Sequence, residues 1–314
     1  MKQFIIFVCS LAALFLMAVG FISGWDIMEW IGAAEPLPVI IVLAASAVMT
    51  SFLFGLMTGD HSWVDRLWST LPVVFSWIYA VKKNSTLLLV LAVIITAWGS
   101  RLSFNFARKG GYSGVEDYRW VILRERIRSP FLWQLFHLLF ICFYQISLFV
   151  LFTLPLNDIF RKAAPKYSIM FAILALLMLC ALTLEWIADQ QQWEFHKDKR
   201  GAGKGRFLSD VRRGFLSSGL FAFSRHPNYF GELSFWWVLY LCSVSVTGSF
   251  INPGMAGPIL LTFLFAGSTR FTESITSTKY PEYEAYRKCT SPIFPFPPRE
   301  RTGMFDGTEV ENRD

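Results

Sequence analysis

The chain has 314 residues, of which 54% are hydrophobic and 17% aromatic, and only 17% are charged, against roughly 25% in an ordinary soluble domain. The net charge is +6, but the basic residues sit in loops between apolar runs and no nucleic-acid-binding module is visible, which argues against a nucleic-acid partner and for a polytopic membrane protein. Five cysteines with no CxxC pair argue against a disulfide framework or a zinc site.

The first predicted element is the run at 4–22. It is too long for the apolar part of a signal peptide and lacks an A-x-A site, so it reads as an uncleaved helix. Further spans are predicted near 36–57, 69–81, 86–107, 131–154, 167–188, 230–250 and 256–270, with 214–229 as a short approach to the seventh. The fold class is therefore all-α, a membrane helix bundle with seven to nine spans, eight preferred. Alternate loops divide unevenly: one set holds 24 of the 29 Lys and Arg and the other holds 5. That asymmetry places both termini and the long polar loops in the cytoplasm, in either endoplasmic reticulum or a bacterial inner membrane. Residues 299–314 are polar and read as a disordered tail.

Four polar clusters fall at the same predicted ends of the spans. In GDHSWVDRLWS, Asp65 reads either as an interfacial charge or as a carboxyl at a cavity rim, where burial raises its pKa and makes it a proton donor. Arg101, Asn105 and Arg108 share one helix face and, with Lys109 and the following glycines, suit an anion. Glu185, Asp189 and Gln192 form one polar stripe at the end of an apolar helix, where charge is costly and faces a cavity or partner. In FAFSRHPNYFGE, Pro227 breaks the chain before a new helix. Arg225 and His226 precede that helix N-terminus, a natural anion site, while Asn228 and Glu232 lie four apart beside Gly231. Tyr280, Tyr283 and Tyr286 read as a packing stripe.

Together, GLFAFSRHPNYFGE, the Glu-x-x-x-Asp-x-x-Gln stripe and the terminal YPEYEAY with its Pro-rich end resemble the steroid 5-alpha-reductase-like membrane proteins, in their DUF1295 branch. The resemblance covers roughly 58–298, leaving 1–57 as extra N-terminal helices. The wider group also holds sterol C14 reductases and isoprenylcysteine carboxyl methyltransferases. It implies a cytoplasmic-side cofactor pocket filled by NADPH in the reductases or S-adenosylmethionine in the methyltransferases. Carried over, Asn228 and Glu232 match contacts to the nicotinamide and its ribose, and Asp189 an acidic cofactor contact. Arg108 or Lys109 falls where basic residues face the phosphates, and Arg270 matches a further cofactor contact. Arg225, His226 and Tyr229 belong to the sterol-reductase form of the block. Asp65 falls near the substrate-side carboxyl, although the Gln-Glu pair of the steroid reductases is absent.

The favoured expectation is an NADPH-dependent reductase of a carbon-carbon double bond in a lipophilic substrate drawn from the bilayer. Asp65 or Tyr229 is the acid. Arg101, Arg108, Lys109, Glu185, Asp189, Gln192, Arg225, His226, Asn228, Glu232 and Arg270 hold the cofactor, and no metal is involved. The alternatives are a methyltransferase using S-adenosylmethionine on a membrane-anchored acceptor, and a non-catalytic lipid-binding protein.

Overall fold

The computed structural model describes residues 2–114, 116–162 and 167–298, so the tail expected over 299–314 lies outside the described residues. Among the described residues every regular element is helical, and one isolated bridge joins Ser224 to Ser291. In chain order these are α1 (Lys2–Ser23), α2 (Ile27–Ala33), α3 (Pro36–Thr58), α4 (Leu71–Lys83), α5 (Thr86–Arg108), α6 (Tyr118–Ile127) and α7 (Pro130–Phe136). A π-helical stretch, His137–Tyr144, leads into α8 (Gln145–Thr153), followed by α9 (Pro155–Arg161), α10 (Ile169–Lys199) and α11 (Leu208–Arg213). The chain ends with α12 (Pro227–Thr247), α13 (Ala256–Lys279) and α14 (Tyr283–Cys289).

Local sequence explains many of these boundaries. Proline opens α3, α7, α9 and α12, where its missing N–H costs nothing. Gly59 (φ 70°) and Asn84 (φ 49°) close α3 and α4 in the left-handed conformation. The orphan carbonyls at the ends of α2 and α9 are taken by lysines from α4: Lys82 donates to Ile31 and Ala34, and Lys83 to Phe160 and Lys162.

Among the described residues six helical stretches are long and apolar enough to cross a membrane: Gln3–Ser23, Pro36–Thr58, Thr86–Arg108, Pro130–Thr153, Ile169–Lys199 and Pro227–Thr247. The chain thus has the build of a multi-pass membrane protein. Two of the eight expected spans are helical without meeting that measure. α4 has 13 residues, and the 24-residue α13 turns polar from Ser268 onward. Large apolar side chains such as Phe21 (88% exposed), Ile169 (83%) and Met57 (79%) point outward. This is the arrangement that lipid permits, because hydrocarbon does not drive apolar side chains inward.

The chain divides into two compact units. One comprises the chain up to Ala175 with Val238–Leu260; the other comprises Leu176–Trp237 with the chain from Leu261 onward. In the first, α1 packs on α3 and α4 on α5. Gly99 lets α5 close on the turn before α4, since a Cβ there would stand 2.5 Å from the Ser69 carbonyl oxygen, and Ser103 donates to Ser69 across the same contact (2.7 Å). In the second, Ala188, Phe195, Phe207, Leu216 and Phe221 form one core and Phe215, Tyr283 and Tyr286 another, as the tyrosine stripe predicts.

Candidate functional site

The first polar nest lies in the turn between α3 and α4. Two segments are zipped together at a constant offset of 55 residues: the His61 amide donates to Glu116 Oε1 (3.0 Å), the Asp117 amide to Ser62 Oγ (2.8 Å) and the Trp120 indole to Asp65 Oδ2 (2.9 Å). Trp133 donates to His61 Nε2 (3.0 Å), so the proton of the neutral ring sits on Nδ1, facing Glu116 Oε1 at 2.9 Å. With both nitrogens engaged, His61 is a structural imidazole. Asp65 is half-buried. Burial pushes its pKa up to about 6 against the opposing pull of Arg119, with Asp117 adding to the rise and the Trp120 hydrogen bond and Arg66 working against it.

The end of α5 carries the first predicted basic group. Arg101 and Asn105 are buried, Arg108 Nε donates to Asn105 Oδ1 (2.9 Å) and Lys109 is exposed. Arg108 and Asn105 therefore meet on one face of α5.

In the second unit, α10 and α12 approach closely. A Cβ on Gly231 would stand 2.4 Å from Glu185 Cγ and 3.0 Å from the Ala181 carbonyl oxygen, so only glycine admits this contact. Glu185, Asp189 and Glu232 are all buried on this pair of helices, and Glu232 Oε1 accepts the Trp236 indole N–H at 2.8 Å. Gln192 is half-buried on α10, and Asn228 and Tyr229 are half-buried in the first turn of α12. Tyr229 stacks on His226, with ring centroids 5.0 Å apart.

Arg225 and His226 have partners within the protein. Arg225 grips Glu273 of α13 with Nε (2.7 Å) and Nη2 (3.0 Å), and Nη1 reaches the carbonyls of Arg287 (2.9 Å) and Thr290. His226 Nε2 meets Glu273 Oε1 at 2.9 Å and Arg287 Nε lies 3.3 Å from Oε2. Burial raises the Glu273 pKa, but the hydrogen bonds from His226 and Arg225 and their charges outweigh it, leaving the carboxyl below its ordinary value. Backbone bonds from Arg225 to Ser291, His226 to Pro292 and Phe296 to Phe223 strap the C-terminal segment over the same turn. Arg270, three residues before Glu273, is exposed.

Several structural anchors escaped sequence reasoning. Gln191, not its neighbour Gln192, accepts the Leu220 amide (2.9 Å) and lies against Gly219, where a Cβ would stand 2.6 Å from its Oε1. Asp198 takes the amides of Gly205 (2.9 Å) and Phe207 (2.8 Å), which folds the basic GAGKG loop onto a carboxylate. Buried Asp210 accepts from Ser217 Oγ (2.8 Å) and Ser218 Oγ. An acid just ahead of a glycine-rich loop, and one followed by a Ser-Ser pair, were the available signals.

Among the described residues no group of three or more His, Cys, Asp or Glu is placed to hold a metal ion. The family described as "Protein of unknown function (DUF1295)" matches residues 51–290. An uncharacterized protein of Schizosaccharomyces pombe is 34% identical over 285 residues, covering 82% of this chain and 80% of its own. No solved structure matches the chain. The chain belongs to the DUF1295 family.

Proposed function

We propose that this DUF1295 protein is an NADPH-dependent membrane reductase that saturates a carbon-carbon double bond in a lipophilic substrate drawn from the bilayer. What supports the reading is Asp65, a half-buried carboxyl held by the Trp120 indole, with burial pushing its pKa up to about 6. Such a group is an effective acid near neutral pH, whereas an ordinary aspartate is not. The Trp120 indole donates to Oδ2 and holds the carboxyl in one orientation. Tyr229 is the second candidate acid.

NADPH, when bound, supplies the hydride. Asn228 and Glu232, a turn apart at the start of α12, would hold the amide and ribose hydroxyls of its reacting end. Glu185, Asp189 and Gln192 on α10 would add acceptors. Exposed Arg270 on α13 is a cation suited to its phosphates. Arg225 and His226, with their partners in Glu273, enter this reading as the frame that fixes the start of α12. The basic loops and both termini would face the cytoplasm, where NADPH is found, in endoplasmic reticulum or a bacterial inner membrane.

A second reading has its own support. Buried Glu185, Asp189 and Glu232 on two facing helices favour a cationic ligand, and the sulfonium of S-adenosylmethionine is one. Calorimetric titration of the detergent-purified chain with NADPH, NADH and S-adenosylmethionine separates the two. The reductase reading expects NADPH binding that weakens at least tenfold in Asn228→Ala and Glu232→Ala with the helical content unchanged. Binding of the methyl donor without any response to NADPH would overturn it in favour of a methyltransferase.

A further inference from the structure

Arg66 sits in the same turn as Asp65 and has no part in the proposed chemistry. Its side chain is only 2% exposed. Nη2 donates to Asp60 Oδ2 (2.6 Å), Nε to the Gly111 carbonyl (3.3 Å), and the guanidinium lies 4.3 Å over the Trp63 ring. The remaining nitrogen, Nη1, is buried and has no hydrogen-bond partner. Leaving a charged donor unmet in the interior is costly, so the position favours an acceptor.

Arg66 also forms part of the wall of a small cavity with Gln3, Phe4, Trp63, Tyr112, Ser113 and Gly114. The space is about 30 Å³, more than the roughly 10–15 Å³ that one water needs. It therefore has room for the oxygens at the tip of an oxyanion but not for a ring. Its rim is polar, with exposed Gln3, Ser113 and Gly114, and its floor is aromatic. Gly110 (φ +86°) and Gly114 (φ +87°) give the 110–114 turn a course that side chains rarely adopt. The stretch from Arg108 to Arg128 holds six cations against three acids, so the local field attracts negative charge. α1 contributes Gln3 and Phe4 to the wall, and its next residues, Ile5 and Ile6, are 56% and 58% exposed, as a lipid-facing helix requires.

We propose that Arg66 and this cavity form an oxyanion site that takes a phosphate oxygen, supplied by the headgroup of an anionic phospholipid lying along α1. Lipid chains on the apolar flank of α1 and a phosphate at its polar end satisfy both halves of the surface, and the basic stretch behind the cavity favours an anionic headgroup over a zwitterionic one. The assignment is independent of the reductase reading.

The test uses the full chain in neutral detergent, with phosphatidylglycerol or phosphatidylcholine added in equal amounts and the retained lipid read by native mass spectrometry. A parallel titration uses inorganic phosphate alone. Retention of phosphatidylglycerol is expected, with at least a tenfold loss in Arg66→Gln. Because that variant leaves Asp60 unpaired, the double variant Asp60→Asn/Arg66→Gln removes both charges and should lose the lipid equally while keeping its helical content. Ser113→Trp, which fills the rim, should do the same with Arg66 intact. Phosphate binding that depends on Arg66, without preference for the anionic lipid, would support the oxyanion chemistry and overturn the lipid as its source. Equal retention of phosphatidylglycerol in all variants, or no Arg66-dependent binding of either probe, would overturn the site.

Discussion

At the scale of single residues, the carboxyls of Asp65 and Glu273 respond to pH in opposite senses. The Asp65 pKa is raised from 3.8 to about 6, so the folded protein holds this proton more tightly than the unfolded chain. Stability then falls as pH rises from about 4 to about 6, and the full cost, about 2–3 kcal/mol, remains at pH 7. Asp65→Asn keeps an acceptor for Trp120 and carries no charge, so it should raise the melting temperature at pH 7.5 and lose that advantage at pH 4. A variant whose melting temperature relative to the parent does not change between the two values would show that the Asp65 pKa is not raised by folding. Glu273 is the converse case, with its pKa lowered although burial opposes this, because His226 and Arg225 donate to it. Its contribution is complete above the ordinary carboxyl range and disappears as acid protonates the folded form. Arg225→Ala leaves this buried carboxylate short of its main partner and should cost about 3–5 kcal/mol. Chemical denaturation of the variant against the parent checks it, and a change below 1 kcal/mol would mean the pair is solvated.

At the scale of elements, the close approach of α10 and α12 rests on one glycine. Gly231→Ala would place its Cβ 2.4 Å from Glu185 Cγ, within the helix pair that carries Glu185, Asp189 and Glu232. The helices must shift or the glutamate must swing away, at a cost of about 1–3 kcal/mol. If α10 and α12 also hold the cofactor, NADPH affinity should fall further than stability does, which parallel binding and unfolding measurements read separately. The sequence made this element pair legible in part. The apolar run and the spacing of Glu185, Asp189 and Gln192 imply a helix with a polar stripe, and Pro227 marks the start of α12 within one residue. The partner that each polar group chooses was not legible, because helical periodicity fixes a face and not what lies across from it. Arg225 and His226 illustrate the gap: their place before a helix N-terminus suggests an anion, and the anion they meet is Glu273, 47 residues away from His226. Trp120 and Asp65 are likewise 55 residues apart, beyond any local pattern.

At the scale of the whole molecule, composition alone was enough to establish a helical membrane protein, since apolar runs near 20 residues admit few other solutions. What composition leaves open is how each helix divides its surface between protein and lipid, because both are apolar. Cysteine is a natural reporter of that division. Cys142, Cys242 and Cys289 are buried, whereas Cys9 on α1 and Cys180 on α10 are exposed. In water the latter two would meet any reagent in solution. In a bilayer they face hydrocarbon, where a charged maleimide does not enter and a thiol does not ionise. In proteoliposomes, a membrane-impermeant charged maleimide should therefore leave all five cysteines unmodified by mass spectrometry, and unfolding in SDS should make every one reactive. Rapid labelling of Cys9 and Cys180 in the intact vesicles would place α1 and the middle of α10 in water, and would remove both helices from the six that the fold offers to the membrane.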